Sequence, residues 1–296
     1  MSKSITVREV IALYVRHAEA ENVHGPAARA DREYTFGLFV AACGDLPVAE
    51  CRAFHLTDFV QAHPEWKSVA TRRSKANAIR AAFRWAMEQE RIDRHPFAGI
   101  RFAEAERRPA LADDVLVDVL AVASKRYERA LRFLRLTACR TGELCAATWA
   151  DVDLDRGVWI IPRHKSRRFT GRPKEVALVP EAVNLLRSIA ERQPAGYAGV
   201  IFLNSRDEPW TPGVLSQQLR RLKQRHGIKA VGSLHGIRHC ALSAMIGAGA
   251  ALKLVAEQAG HASTAITEKF YWHRSAEHLE AIRAAVALGI PPTAAG

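Results

Sequence analysis

Two histidines flank an arginine in the segment LHGIRHC, residues 234–240. On a helix, His235 and His239 would share one face, and two imidazoles at this spacing can bind zinc. A zinc peptidase helix has glutamate directly after the first histidine as its general base, whereas this chain has Gly236 there. Arg238 would also add a permanent positive charge beside a metal. We therefore expect no metal: His235 and Arg238 suit an oxyanion such as a phosphate, and His239 is expected to pack along the helix.

This segment alone fits a buried histidine beside a surface arginine equally well, so other segments must decide. Arg140, in CRTGEL, lies where one predicted helix ends and the next begins. At such a place, free backbone amides and a guanidinium can face one anion. Lys165 lies just after a predicted strand, and the segments AGHAS and FYWH contain His261 and Tyr271. The order along the chain is Arg, Lys, His-x-x-Arg, His, Tyr.

This ordered set resembles the tyrosine recombinase (phage integrase) family, and specifically an integrase-like member. The resemblance covers a helical N-terminal region and the mixed region that follows it. It implies a site-specific DNA recombinase, of a mobile element, that cuts and rejoins strands through a 3′-phosphotyrosyl link. Because that link replaces one phosphodiester with another, the strand can rejoin to a different 5′ hydroxyl without ATP. We therefore expect neither a metal nor another cofactor.

The resemblance makes Tyr271 the nucleophile, with Arg140 and Arg238 on the two non-bridging phosphate oxygens. A phenol has a pKa near 10, so nearby cations or a base must favour its anion at neutral pH. Tyr271 lies ten residues after His261, whereas the usual family spacing is nine. Phe270 occupies that ninth position and has no hydroxyl, so Tyr271 is the predicted nucleophile.

The resemblance also implies roles for four further residues. Lys165 would protonate the departing 5′ oxygen, and Lys174, on the other arm of the same hairpin, is its competitor. His235 and His261 would contact the phosphate or assist proton transfer, with His235 the stronger candidate for acid–base catalysis. Glu143 would support the site without performing chemistry.

The basic composition points to a polyanionic partner. The 296 residues include 43 Lys and Arg against 31 Asp and Glu, a formal net charge of +12. Neutralising phosphates releases counterions, so clustered basic residues favour nucleic acid binding. A solvated basic face is the alternative for the first cluster. The predicted DNA-contacting residues are Arg72, Arg73, Lys75, Arg80 and Arg84 in that cluster, Arg163, Arg167 and Arg168 in the second, and Arg220, Arg221 and Lys223 in the third.

Hydrophobic spacing predicts the elements that position these residues. Residues 1–100 read as a bundle of about four helices, and a charged, proline-containing segment at 101–110 predicts a linker. In residues 111–296, GVWIIP and EVALVP predict a β-hairpin among helices. We expect a mainly α fold with a small antiparallel sheet. The resemblance makes these regions a helical core-binding (SAM-like) domain and a mixed α/β tyrosine recombinase catalytic domain ending in a C-terminal helix.

The remaining expectations concern surroundings and alternatives. Five cysteines without a CxxC spacing favour a reducing cytoplasm, and no apolar run approaches the about 18 residues of a membrane span. The resemblance implies double-stranded DNA, self-association into a tetramer on DNA, an accessory DNA-bending protein, no membrane, and association with the nucleoid. The alternatives are a chromosome-dimer resolvase, a type IB topoisomerase, and a non-catalytic DNA-binding regulator on the same fold.

Overall fold

The computed structural model describes residues 5–104, 113–164, 171–229, 232–265 and 267. The chain divides into two compact units, Met1–Arg107 and Arg108–Gly296, and the division falls within the segment 101–110 that the sequence predicts as a linker. No described helix is long and apolar enough to cross a membrane.

The first unit is a helical bundle. Its helices are α1 (Val7–Ala20), α2 (Pro26–Cys43), α3 (Ala53–Gln61) and α4 (Val69–Glu88). Thr6 starts α1 with a capping box, in which its hydroxyl accepts from the Glu9 amide and the Glu9 carboxylate accepts from the Thr6 amide. Phe39, Ile79 and Phe83 are fully buried between the helices. The helical spacing of apolar residues therefore defines this core.

Lys75 corrects one expectation for the basic face of α4. Its side chain is buried, and its ammonium donates to Asp31 at 2.5 Å and to the Thr35 hydroxyl at 3.0 Å. The same ammonium lies 5.5 Å from the centre of the Tyr34 ring and 5.8 Å from that of Trp66. A buried lysine needs such partners to remain charged. Lys75 therefore stabilises the bundle and does not present its charge to a phosphate.

The second unit combines helices with a small sheet. Its helices are α5 (Asp113–Val122), α6 (Lys125–Thr137), α7 (Thr141–Cys145), α8 (Pro180–Ala190), α9 (Pro212–Arg225), α10 (Leu234–Gly247) and α11 (Leu252–Ala259). Its strands are β1 (Val152–Asp153), β2 (Val158–Ile161) and β3 (Lys174–Ala177). They form one antiparallel sheet in the order β1-β2-β3. The predicted mainly α fold with a small antiparallel sheet is confirmed.

The sheet alternation decides which hairpin residues face inward. In β2, Trp159 and Ile161 are buried while Ile160 is exposed, and in β3, Lys174 and Val176 are buried. Ile161 pairs with Lys174 and Trp159 with Val176 across the two strands. Because side chains alternate along a strand, Lys174 shares the inward face with apolar residues.

Candidate functional site

Two helices end at the same place in the second unit. The C-cap of α6 is Ala138, which has the left-handed conformation φ 52°, ψ 25°, and the C-cap of α11 is Gly260, with φ 66°, ψ 44°. The last carbonyls of a helix have no partner within it and carry the negative end of the helix dipole. Where two such ends meet, their carbonyls need hydrogen-bond donors, and the combined negative potential favours cations.

Arg238 meets this requirement from α10. Its side chain is buried, and it donates one hydrogen bond to the Ala138 carbonyl at 2.5 Å and another to the Ala259 carbonyl at 2.7 Å. A guanidinium is planar and has five N–H groups, so it can join two helix ends at once. The two carbonyls that Arg238 joins lie 100 and 21 residues from it along the chain.

Arg140 lies beside it at the start of α7. Its guanidinium donates to Glu143 Oε1 at 2.7 Å and to the Gly260 carbonyl at 3.1 Å, while its backbone amide donates to Glu143 Oε2 at 2.9 Å. Arg140 and Arg238 thus hold the consecutive carbonyls of Gly260 and Ala259. About a quarter of the Arg140 side chain is exposed. The fold therefore places two guanidinium groups side by side, and Arg140 is the more exposed of the two.

His261 completes this group directly after α11. Its Nε2 lies 3.1 Å from an Arg238 guanidinium nitrogen, and its Nδ1 lies 2.9 Å from the Thr267 hydroxyl. Since arginine can only donate, Nε2 must accept, and the ring proton lies on Nδ1. Burial lowers the pKa of His261 to about 4, and the charges of Arg238 and Arg140 act in the same direction. His261 is therefore a neutral imidazole at neutral pH.

The histidines of α10 occupy different environments. His235 is exposed, and its ring contacts that of His239 edge to face at a centroid distance of 4.6 Å. Burial lowers the pKa of His239, as does the charge of Arg238. His239 lies near enough to His261 to lower the pKa of that histidine as well. The packing role expected for His239 is therefore accompanied by an electrostatic one.

Glu143 and Lys174 form a buried ion pair next to Arg140. Their side chains are 6% and 2% exposed, and the ammonium donates to Glu143 Oε2 at 2.8 Å. Burial by itself would raise the pKa of Glu143, but Lys174 and the bonds from Arg140 outweigh it and lower that pKa to about 2. Burial lowers the pKa of Lys174, and the Glu143 carboxylate opposes that shift. Glu143 is therefore ionised between two cations.

A cleft of about 410 Å³ opens beside Arg140. It is lined by residues from α7 and from the base of the hairpin, among them Glu143, Trp159, Arg163 and His164. Arg163, a predicted DNA contact, is exposed. The cleft gives a substrate access to Arg140, the more exposed arginine of the pair.

The other predicted DNA contacts that the structure describes lie on two helices, α4 and α9. On α4, Arg84 is exposed, and the other arginines make bonds within the unit: Arg72 to the Trp66 carbonyl, Arg73 to Glu104, and Arg80 to the Ala98 carbonyl. On α9, Arg220 and Arg221 are exposed, and Lys223 donates to the Gly232 carbonyl at 3.3 Å. Both helices present arginine side chains to solvent, each within its own unit.

Several predicted residues lie outside the described part of the chain. They are Lys165, Arg167, Arg168, Phe270, Tyr271 and the C-terminal helix expected after it. The structure thus brings together Arg140, Glu143, Arg238 and His261 from the predicted set.

Sequence reasoning missed two members of this group. Thr267 is fully buried and orients His261, but its position six residues later in a short polar segment carries no distinctive signal. Gly260 was recognisable as a glycine that follows an apolar helix, the usual signal for a left-handed helix end. What the pattern could not show is that its carbonyl accepts from Arg140.

The fold and site together define a class of protein whose second unit is mainly helical, with a small antiparallel sheet and two arginines held side by side at the ends of two helices. The phage integrase family matches residues 110–278 of the chain. Among sequence relatives, tyrosine recombinase XerC of Xanthomonas axonopodis pv. citri (strain 306) is 26% identical over 242 residues, covering 78% of this chain and 76% of that protein. XerC of Xanthomonas campestris pv. campestris (strain B100) is 28% identical over 257 residues, covering 81% and 76%.

Solved structures agree on the fold. The Tn1549 transposon integrase in complex with a circular intermediate DNA has a TM-score of 0.78 at 18% identity, covering 96% of this chain and 100% of that chain. A lambda integrase tetramer bound to a Holliday junction has a TM-score of 0.72 at 18% identity, covering 91% and 78%. This chain belongs to the phage integrase family, the tyrosine recombinases.

Proposed function

We propose that this protein is a site-specific DNA recombinase that cuts and rejoins strands through a phosphotyrosyl intermediate. The observation that carries the proposal is the pair of guanidinium groups of Arg140 and Arg238 on neighbouring carbonyls, with His261 against them, in a chain of this family. Tyr271 attacks the phosphorus, and the 5′ oxygen leaves, so the strand remains joined to the protein through its 3′ phosphate. Attack by the freed 5′ hydroxyl of another strand reverses these steps.

The arginines supply the electrostatic part of this reaction. Arg140 and Arg238 bind the non-bridging oxygens, whose negative charge grows as phosphorus becomes pentacoordinate. Their bonds to fixed helix-end carbonyls hold both guanidinium groups before the substrate arrives. Preorganised donors cost no rearrangement at the moment of reaction. The cations also favour the phenolate of Tyr271 over the phenol.

We assign the proton transfers to Lys165 and His235. Lys165 protonates the leaving 5′ oxygen, and exposed His235 is the candidate for acid–base exchange with Tyr271. His261 is neutral in the free protein and accepts from Arg238 at Nε2, so we assign it the role of holding that guanidinium in place for the phosphate. The Glu143 carboxylate orients Arg140 by accepting hydrogen bonds from the Arg140 backbone amide and from its guanidinium.

The partners follow from the same chemistry. Double-stranded DNA is the substrate, with exposed arginines of α4 and α9, such as Arg84, Arg220 and Arg221, on its phosphates. Strand exchange between two duplexes requires four cleavages, so we propose a tetramer on DNA, with an accessory DNA-bending protein as a further partner. The site of action is the nucleoid in the cytoplasm.

Two biological settings fit the family. The structural likeness to the Tn1549 and lambda integrases favours an integrase of a mobile element, and the XerC relatives favour a chromosome-dimer resolvase. Sequencing the DNA that crosslinks to the protein in cells separates the two. Sites at the ends of a mobile element support an integrase, and a single chromosomal site apart from any such element supports a resolvase.

The nucleophile can be tested with a nicked suicide DNA substrate carrying the site. We expect a covalent protein–DNA band that survives denaturation and is abolished in Tyr271→Phe, because phenylalanine has no hydroxyl to attack phosphorus. Tyr197→Phe is the matched control, because Tyr197 is a partly exposed tyrosine in a loop between α8 and α9. Tyr127 is no rival nucleophile, since it is buried and donates to the Leu215 carbonyl at 3.0 Å.

Four results would contradict this proposal. A band that persists in Tyr271→Phe removes Tyr271 as nucleophile, and cleavage that depends on added metal removes the mechanism. Relaxation of supercoiled plasmid that lacks the site indicates the topoisomerase alternative. Specific DNA binding without any covalent band indicates the non-catalytic regulator.

A further inference from the structure

Lys174 holds a charge in a place where burial disfavours it. Its side chain is 2% exposed, at the start of β3, and the ammonium donates to Glu143 Oε2. Its hydrocarbon stem packs against Gly260, where an added Cβ would lie 2.6 Å from Lys174 Cδ. Lys174 therefore contacts both the carboxylate that orients Arg140 and the residue whose carbonyl accepts from Arg140.

The charges around Arg140 show what this contact does. Arg140, Arg238 and Lys174 contribute three positive charges, Glu143 contributes one negative charge, and His261 is neutral. Without Lys174, the carboxylate of Glu143 would neutralise Arg140, its direct partner at 2.7 Å. A guanidinium neutralised in this way attracts a phosphate more weakly, at the point where the transition state gains negative charge.

We propose that Lys174 is a positioning residue, which neutralises Glu143 and supports Gly260 so that Arg140 keeps its charge and its orientation for the phosphate. This inference rests on the proposed recombinase function. Lys174 acts through Glu143 and does not touch the DNA. Glu143 can then orient Arg140 by two hydrogen bonds without cancelling its charge.

The competing role for Lys174 is that of the acid that protonates the leaving oxygen. The geometry disfavours it, because the ammonium is enclosed and directed at Glu143. A proton donor must reach the leaving oxygen at hydrogen-bond distance. The two roles predict different responses to a substrate whose leaving 5′ oxygen is replaced by sulfur, since a thiolate leaves without needing a proton.

The experiment measures single-turnover formation of the covalent complex at saturating DNA, for oxygen- and sulfur-bridged substrates. We expect Lys174→Met to be at least tenfold slower on both substrates, with DNA affinity within about threefold of wild type. Lys165→Met should be slow with oxygen and restored by sulfur. Lys253→Met, which removes an exposed lysine from α11, is the matched control and should match wild type.

A second background tests the route through Glu143. Methionine keeps a hydrocarbon stem against Gly260 and removes only the charge, so Lys174→Met should change the rate less than twofold when Glu143 is already glutamine. This comparison also serves if Lys174→Met alone fails to fold, because the double variant leaves no unpaired buried charge. Circular dichroism at the assay temperature establishes that each compared variant is folded.

Four outcomes decide the matter. The proposal is overturned by a wild-type rate in Lys174→Met, by its restoration with the sulfur substrate, or by a large further loss in the Glu143→Gln background. Absence of any covalent complex with wild-type protein contradicts the proposed function itself, independently of Lys174.

Discussion

At the scale of single residues, the hydrogen-bond partners of His261 decide which of its ring nitrogens carries a proton. Arg238 can only donate, so His261 accepts at Nε2 and keeps its proton on Nδ1 towards Thr267. A second proton on His261 would face a guanidinium at 3.1 Å. The neutral histidine is thus a consequence of its neighbours, and it has a measurable effect on stability.

We predict that His261 makes the folded protein less stable in mild acid. Its pKa is about 4 when folded, against an ordinary value of 6.5, so between these values the unfolded chain binds more protons. The contribution is complete above about pH 6.5 and is lost as the pH falls towards 4. Thermal melting across this range should show a shallower decline in His261→Gln than in wild type. Equal slopes would exclude the proposed ring environment, and His226→Gln, an exposed histidine, is the control.

At the scale of elements, the site is the junction of two helix C-termini. α6 and α11 end in left-handed residues, Ala138 and Gly260, and their last carbonyls are held by arginines from other elements. The helix-stop signal at Gly260 was readable from the sequence. That both helices end at one point depends on how α6, α10 and α11 pack.

Gly260→Ala tests this junction. An alanine at φ 66° is strained by about 1 kcal/mol, and its Cβ would additionally meet Lys174 Cδ at 2.6 Å. Gly227→Ala is the matched control, since Gly227 has the same φ and no atom lies within 4 Å of an added Cβ. We expect chemical denaturation to show about 1–3 kcal/mol more destabilisation for Gly260→Ala than for Gly227→Ala, the cost of overpacking. Equal losses of stability in the two variants would mean that the Lys174 side chain moves aside without destabilising the protein.

At the scale of the whole molecule, the chain has a net charge of +12, but its basic residues are not all exposed. Lys75 and Lys174 are buried, one in each unit, and their ammonium groups pair with Asp31 and Glu143 respectively. Arg220 and Arg221 present theirs to solvent on α9. A count of basic residues therefore overstates the charge that is available to DNA, and only exposed residues should affect its salt dependence.

Salt titration of DNA affinity measures this division. Each lost phosphate contact should reduce the slope of log affinity against log salt by about 0.9. We expect Arg220→Ala with Arg221→Ala to reduce the slope by about 1–2, whereas Lys75→Met leaves the slope unchanged and lowers the melting temperature. Arg187→Ala, an exposed arginine of α8 outside the predicted contacts, is the control. An unaltered slope in the α9 variant would remove that helix from the DNA surface.

The sequence by itself determined the family, the order of the chemical residues, and the helical and hairpin segments that contain them. Local spacing carries this information, because helix starts, helix stops and strand alternation are set by neighbouring residues. Only the tertiary structure decided that Arg238 lies buried between carbonyls at positions 138 and 259, that Lys174 pairs with Glu143, and that Lys75 belongs to a core. These contacts join residues tens of positions apart. Whether a charge is buried and paired or exposed to a phosphate depends on packing that periodicity does not encode.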